Sequence, residues 1–235
     1  MSNPTVFAHR GASGICFENT MKAFEKAVDQ GAGGIELDVQ LTEDGVPFVI
    51  HDPGLSRLAG IRKMISSMTS TELMRIRVGR RYRRLFCGHS IPTLIEAVSF
   101  CEMHDLALNV ELKETVSDRP ELIKMIVDIV SVMGNVHISS FDYRLLEVVK
   151  EESERMETAF LIGKKSVDWT NLKQYSSADG FHFHKRLLKE PFLTNLLQTG
   201  KKIRVYGMTG TEPITLNPPP YIDGWITDYP NRFNK

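Results

Sequence analysis

The chain has 235 residues, with 29 lysines plus arginines against 29 aspartates plus glutamates. A zero formal charge gives nucleic acid no electrostatic claim as the main partner. Hydrophobic residues make up 42% and charged residues 25%, the make-up of a globular chain with a large core rather than a disordered one.

In chain order, the first run, Met1-Ser-Asn-Pro-Thr-Val-Phe-Ala8, lacks a basic stretch followed by an apolar one, so no secretory leader is expected. No later apolar run approaches the roughly 20 residues that span a bilayer. The cysteines Cys16, Cys87 and Cys101 are scattered and odd in number, which fits free thiols in a reducing compartment. A cytoplasmic location is expected.

Short β-rich runs alternate with helical patterns throughout. The spacing predicts strands at Thr5–His9, Gly34–Val39, Ala107–Lys113, Val136–Phe141, Thr158–Ile162, Gly180–His184, Ile203–Tyr206 and Gly224–Thr227. Helices are predicted at Thr20–Gln30, Pro92–His104, Pro120–Val132, Tyr143–Ser153, Asp168–Gln174 and Lys189–Thr199, with Thr20 as N-cap and Pro92 and Pro120 in first turns. Eight strands with helices between most of them count out an α/β fold, a closed (β/α)8 barrel of the TIM type in one domain over residues 1–235.

Between Asp38 and His51 there is too little chain for a helix. The stretch from Gln40 to Ile50 reads instead as a β-hairpin turning at Asp44-Gly45. With those two as the turn, Glu43 faces Val46, and counting outward sets Asp38 opposite His51. Residues 52–90 are expected to form a small insertion over one face, with a helix at Met64–Arg77 followed by the basic run Arg80-Arg-Tyr-Arg-Arg84.

Four clusters fall at the carboxyl ends of predicted strands, the rim where barrel active sites are built. His9-Arg10-Gly11 leaves a strand into a turn and offers a proton-transfer group beside a phosphate clamp; a buried His with a surface Arg is the plainer alternative. Glu36 and Asp38 alternate along one strand and share a face. Two carboxylates pointing inward are costly without a cation or proton. Glu111 and Lys113 repeat the alternation, so Glu111 can complete an oxygen site and Lys113 can meet a phosphoryl oxygen; a self-paired Glu–Lys is the plainer reading. Three carboxylates without nearby Cys suit one divalent cation, Mg²⁺ or Ca²⁺, better than structural zinc. A lone histidine is more often structural, but the hairpin brings His51 beside Asp38, and paired with His9 it would give a general acid and a general base.

Together these residues resemble the glycerophosphodiester phosphodiesterase family. The matching segments are His9-Arg10-Gly11, Glu18-Asn19-Thr20, Glu36-x-Asp38, Thr42-x-Asp44-Gly45, His51-Asp52, Ile91-Pro92-Thr93-Leu94, Glu111-x-Lys113, Ser140-Phe141 and Asp223-Gly224-x-Ile226-Thr227-Asp228-Tyr229-Pro230, in family order across nearly the whole chain. The resemblance implies a metal-dependent hydrolase that splits a small-molecule glycerophosphodiester into glycerol 3-phosphate and an alcohol. It implies His9 and His51 as catalytic pair, Arg10 on the phosphate with Lys113 assisting, and Glu36, Asp38 and Glu111 as metal ligands. Phe17 stands where the family usually has proline. Tyr206 stands where a tryptophan is common, and both positions would line the pocket for the alcohol.

Two rivals are a lysophospholipid phosphodiesterase on the same fold and a barrel that binds phosphorylated ligands without turning them over. A zinc amidohydrolase would want His-x-His ending the first strand, which His9-Arg10-Gly11 does not supply. His182 and His184 share one strand face and could add ligands or contact substrate, but read first as satisfied groups of the barrel mouth. Glu18 reads as support for the His9 turn, Asp228 as a rim hydrogen-bonding or loop-capping residue, and the six arginines between Arg75 and Arg84 as a solvated face.

Overall fold

In a computed structural model describing residues 3–79 and 88–233, eight parallel strands close into a barrel and are joined by one antiparallel strand. The barrel strands are β1 (Thr5–His9), β2 (Gly34–Leu41), β6 (Ala107–Leu112), β7 (Val136–Ser140), β8 (Glu157–Ile162), β9 (Gly180–His184), β10 (Lys202–Met208) and β11 (Gly224–Thr227). The β1–β2 pairing completes the ring. Strand β3 (Pro47–Val49) runs back along β2, and β4 (Arg77–Val78) pairs with β5 (His89–Ser90) in the insertion.

Alternation along each strand divides the residues. Ile35, Leu37 and Val39 of β2 point outward into a core shared with helices, while Glu36 and Asp38 point inward. Helix α1 (Met21–Asp29) starts where Thr20 accepts a hydrogen bond from the Ala23 amide at 3.2 Å and buries Ala23, Phe24 and Ala27. Helices α4 (Leu94–Met103), α5 (Ile123–Val130) and α6 (Tyr143–Glu152) add Val98, Ile126 and Val149 to that core. Each such aliphatic side chain stabilises the fold by about 1.5–3 kcal/mol.

Following the strand registers round the ring, the inward residues stack in layers of four from alternate strands. Glu36, Ser139, His182 and Ile226 share one height. His9, Glu111, Leu161 and Tyr206 form the next, towards the carboxyl rim.

Four expectations are corrected. The hairpin register differs by one residue: Val39 faces Val49, and the Ile50 amide donates to the Asp38 carbonyl at 2.9 Å, so Asp38 stands opposite Ile50, not His51. Gly45 adopts φ +80° and closes a three-residue loop, Glu43-Asp44-Gly45, between Thr42 and Val46. The helix expected over Met64–Arg77 is broken into a 3₁₀ turn (Ile65–Ser67) and α3 (Ser70–Met74), because Thr69 with Glu72 forms a capping box that starts a new helix. At Asp168–Gln174 only a 3₁₀ turn, Leu172–Gln174, forms, since Asp168 takes the Thr170 amide and hydroxyl at 2.9 and 2.6 Å. Helix α4 begins after Thr93, leaving Pro92 outside its first turn.

The insertion carries its own small core of Leu55, Leu58, Ile65, Met68 and Leu73, packed against Phe48 and Ile50 beyond β2. The run Arg80–Arg84 and Cys87 lie outside the described residues. Among the described residues no helix is long and apolar enough to cross a membrane.

Candidate active site

Burying a carboxylate demands compensation, and the inner face of β2 and β6 concentrates three. By register Asp38 lies beside Glu111, with Glu36 one step below. All three are buried, and oxygens of the three lie within 4.8 Å of one another. Lys113, which follows β6, reaches into this cluster: its Nζ forms a short ion pair with Glu111 and sits 3.0 Å from Asp38 Oδ1. Burial and the Asp38 charge push Glu36 up, and the same two causes push Glu111 up to about 7. Burial also works against ionised Asp38, but Lys113 and Arg10 outweigh it and hold its carboxyl below the usual range. An oxygen-only set crowded with unbalanced negative charge fits one hard cation.

His9 ends β1 at the same rim. The next two residues take left-handed backbone, Arg10 at φ +56° and Gly11 at +79°, and an added Cβ on Gly11 would lie 2.6 Å from the Ala23 backbone. This turn presses onto α1 and fixes Arg10, whose amide donates to Glu36 Oε2 at 3.0 Å. The Arg10 guanidinium reaches Glu18 through Nη1 at 2.9 Å and Asp38 through Nε at 3.1 Å. Buried Asn19, also left-handed at φ +53°, donates to Asp38 Oδ2 at 2.8 Å.

Each histidine turns one nitrogen onto an aspartate. His9 Nδ1 lies 2.7 Å from Asp228 Oδ1, and His51 Nδ1 lies 2.7 Å from Asp52 Oδ1. With the Nδ1 proton held there, Nε2 is the nitrogen left for chemistry. His9 Nε2 faces Glu36 Oε2 at 3.9 Å. Burial pulls the His9 imidazole down, but the Glu36 charge and the Asp228 hydrogen bond outweigh it, so its pKa is raised. Asp52, held by Arg57 and His51, falls to about 2.

The one-residue shift of the hairpin leaves His51 at the rim, where Gln40 Nε2 donates to its carbonyl at 2.9 Å. His9, Arg10, Glu36, His51, Glu111, Lys113 and Tyr206 all line one cavity of about 230 Å³, with Phe141, Leu161 and His182 among its other walls. Asp38 lies behind it, fully buried. Beyond Tyr206 a smaller space of about 130 Å³ runs past Met208, Thr209 and Asp228. His182 is buried with both ring nitrogens unpartnered rather than satisfied, whereas His184 accepts from the Arg186 amide at 3.2 Å and packs edge-on to Tyr206.

Sequence reasoning passed over two of these groups and left a third undecided. Asp228 meets His9 from the far end of the chain, Arg57 meets Asp52 and Glu18 from the insertion, and Asn19 meets Asp38 from the turn before α1. Asp228 carried a signal in its place at the end of the last strand, and Asn19 one as a residue type that tolerates left-handed backbone; Arg57 carried none.

Comparison with known proteins gives the chain its family. Residues 9–232 match the model of the glycerophosphoryl diester phosphodiesterase family. A glycerophosphodiester phosphodiesterase of Caldanaerobacter subterraneus is 30% identical over 229 residues, spanning 96% of this chain and 94% of the relative. One of Bacillus altitudinis is 30% identical over 234 residues, spanning 97% and 95%. An Oleispira antarctica phosphodiesterase, solved in complex with the product sn-glycerol-3-phosphate, superposes with a TM-score of 0.86 at 26% identity over 98% of this chain and 95% of that one. A match along almost the full length leaves one assignment: the chain belongs to the glycerophosphoryl diester phosphodiesterase family, a family of phosphoric diester hydrolases.

Proposed function

We propose that the protein hydrolyses glycerophosphodiesters to glycerol 3-phosphate and an alcohol, with His9 and His51 as its acid/base pair. The observation that carries this reading is the single cavity lined by both imidazoles, Arg10, Lys113 and two of the three clustered carboxylates. The Oleispira antarctica relative's complex with sn-glycerol-3-phosphate supports the same product here.

A phosphodiester repels nucleophiles because it is anionic. Arg10 and Lys113 meet its oxygens and offset that charge as it builds in the transition state. Glu36, Asp38 and Glu111 would hold one divalent cation, Mg²⁺ or Ca²⁺, which supplies further charge neutralisation when bound. One histidine takes the proton of the nucleophile at Nε2 and the other gives a proton to the leaving alkoxide. Each transfer contributes on the order of 10²–10⁴ in rate. Tyr206 borders the alcohol side. That flank holds only about 130 Å³ between Tyr206, Met208, Ile226 and Tyr229, room for a small alcohol rather than a long acyl chain. The scattered thiols Cys16 and Cys101 are both free, which suits a cytoplasmic setting.

Phosphorus NMR of turnover mixtures tests this. Glycerophosphocholine, glycerophosphoethanolamine and glycerophosphoglycerol should each yield glycerol 3-phosphate, and lysophosphatidylcholine should react far more slowly. His51→Ala should stay folded and lose nearly all turnover. Inert wild-type protein, or an active His51→Ala variant, removes the reading.

A further inference from the structure

Arg57 stands on α2 (Ser56–Ala59), in the insertion and outside the barrel. Its guanidinium forks to two carboxylates at once. Nε reaches Asp52 Oδ2 at 2.6 Å and Nη2 reaches Asp52 Oδ1 at 2.9 Å. Nη1 and Nη2 reach Glu18 Oε2 and Oε1, each at 2.8 Å.

What lies on the far side of each carboxylate gives the contact its meaning. Asp52 holds His51 Nδ1, and Glu18 holds Arg10 Nη1 at 2.9 Å. From the His51 ring a continuous path of alternating charges runs through Asp52, Arg57, Glu18, Arg10, Asp38, Lys113 and Glu111. Among the described residues, Arg57 joins the His51 arm of that path to the Arg10 arm.

We propose that Arg57 is a positioning residue that sets the proton-transferring His51 and the phosphate-binding Arg10 against each other through Asp52 and Glu18. The proposal rests on the hydrolase reading given above. Arg57 touches neither substrate nor reacting atoms; it acts through the two carboxylates.

The side chain is about half exposed, at 49%, and isolated exposed ion pairs add little to stability. Two bidentate contacts are a costly arrangement to hold for that return, and their value lies in geometry. A planar fork can grip two carboxylates in fixed orientation, whereas a lysine ammonium is a point charge on a flexible stem. Without Arg57, Asp52 loses the anchor that aims the His51 ring. Glu18, left with Arg10 as its one arginine partner among the contacts described, draws that guanidinium towards itself and away from a phosphate.

The test uses full-length Arg57→Gln, Arg57→Lys, Asp52→Asn and Glu18→Gln, assayed on glycerophosphocholine, with the His51 Nδ1–H resonance followed by proton NMR. Arg57→Gln should lower kcat/KM about 10–100-fold, the range for residues that orient catalytic groups from behind, through both a lower kcat and a higher KM. Asp52→Asn should reproduce the kcat part and Glu18→Gln the KM part. Arg57→Lys, which keeps the charge and the fold, should remain impaired, and the His51 ring proton should shift or broaden in both Arg57 variants. Kinetics within twofold of wild type in Arg57→Gln, or full recovery in Arg57→Lys, would overturn the proposal. If wild-type protein turns over no diester, the hydrolase reading fails, while the ring-proton measurement still decides whether Arg57 governs His51.

Discussion

His9 and Asp228 meet at 2.7 Å although 219 positions separate them. The contact joins the end of the first barrel strand to the residue that follows the last, where β1 pairs with β11. Asp228 also accepts from the Ser13 hydroxyl at 2.9 Å, so its orientation is set from two sides. Asp228→Asn should lower kcat about 10–100-fold with little change in unfolding midpoint. Burial opposes the charged His9 ring, and Glu36 and Asp228 are what raise its pKa. Losing the Asp228 charge should therefore move the His9 limb of the pH–rate profile to lower pH. An unmoved limb with full activity would reduce Asp228 to a loop cap.

Cation dependence can be read without turnover. Glu111 is pushed up to about 7 by burial and by Asp38, so protons compete for this carboxylate as pH falls through that value. Affinity for Mg²⁺ or Ca²⁺ should weaken below about pH 7, by at most roughly tenfold per pH unit for one proton displaced. Calorimetry at pH 6 and 8 in buffers of different ionisation enthalpy should show a proton released on binding at the lower pH. Glu111→Gln should weaken the pH dependence and remove most of the affinity, leaving Glu36 as the remaining raised carboxylate. Full activity in excess chelator would rule out a required cation.

The barrel was legible because its strands obey simple alternation. Glu36 and Asp38 between Ile35, Leu37 and Val39 already state which side faces in, and β1 and β9 have the predicted ends. Thr20 announced its own cap. The hairpin was legible as a hairpin but not in register, since that depends on whether Gly45 lies inside a two- or a three-residue loop. Thr69 and Asp168 show why two helices failed: short polar side chains offered the backbone a competing local bond. The His9–Asp228 and Glu18–Arg57 contacts escaped because their partners lie 219 and 39 positions apart, beyond any periodic pattern. Closure of the sheet creates the first contact and folding of the insertion creates the second.

Two histidines inside the barrel should govern acid stability. His137 and His182 are buried, with ring centroids 5.2 Å apart and edge to face. Burial first, and then the nearby Arg204 charge, holds both well below the usual imidazole value. They are neutral when folded, whereas the unfolded chain takes up protons at them below about pH 6.5. Their contribution is therefore whole above that pH and is lost as pH falls, by up to about 1.4 kcal/mol per pH unit for each ring. Urea midpoints of wild type and His182→Gln at pH 7.5 and 5.0 isolate the effect, because the carboxylates are common to both. The variant should lose less stability between the two pH values; equal losses would show that His182 titrates alike folded and unfolded.

Gly11 and Gly200 separate backbone conformation from close packing. Both have positive φ, +79° and +68°, but a Cβ on Gly11 would lie 2.6 Å from the Ala23 backbone, whereas one on Gly200 meets nothing within 4 Å. Gly200→Ala should cost only the left-handed conformation, about 1–2 kcal/mol. Gly11→Ala adds the need to push α1 away, about 1–3 kcal/mol more. That displacement is transmitted to Arg10, whose own left-handed backbone and amide bond to Glu36 belong to the same turn. Gly11→Ala should therefore combine the larger fall in unfolding midpoint with a raised KM, while Gly200→Ala keeps wild-type kinetics. Equal destabilisation of the two variants would mean that α1 yields freely at Ala23. The tight seat of the turn would then have no part in holding Arg10.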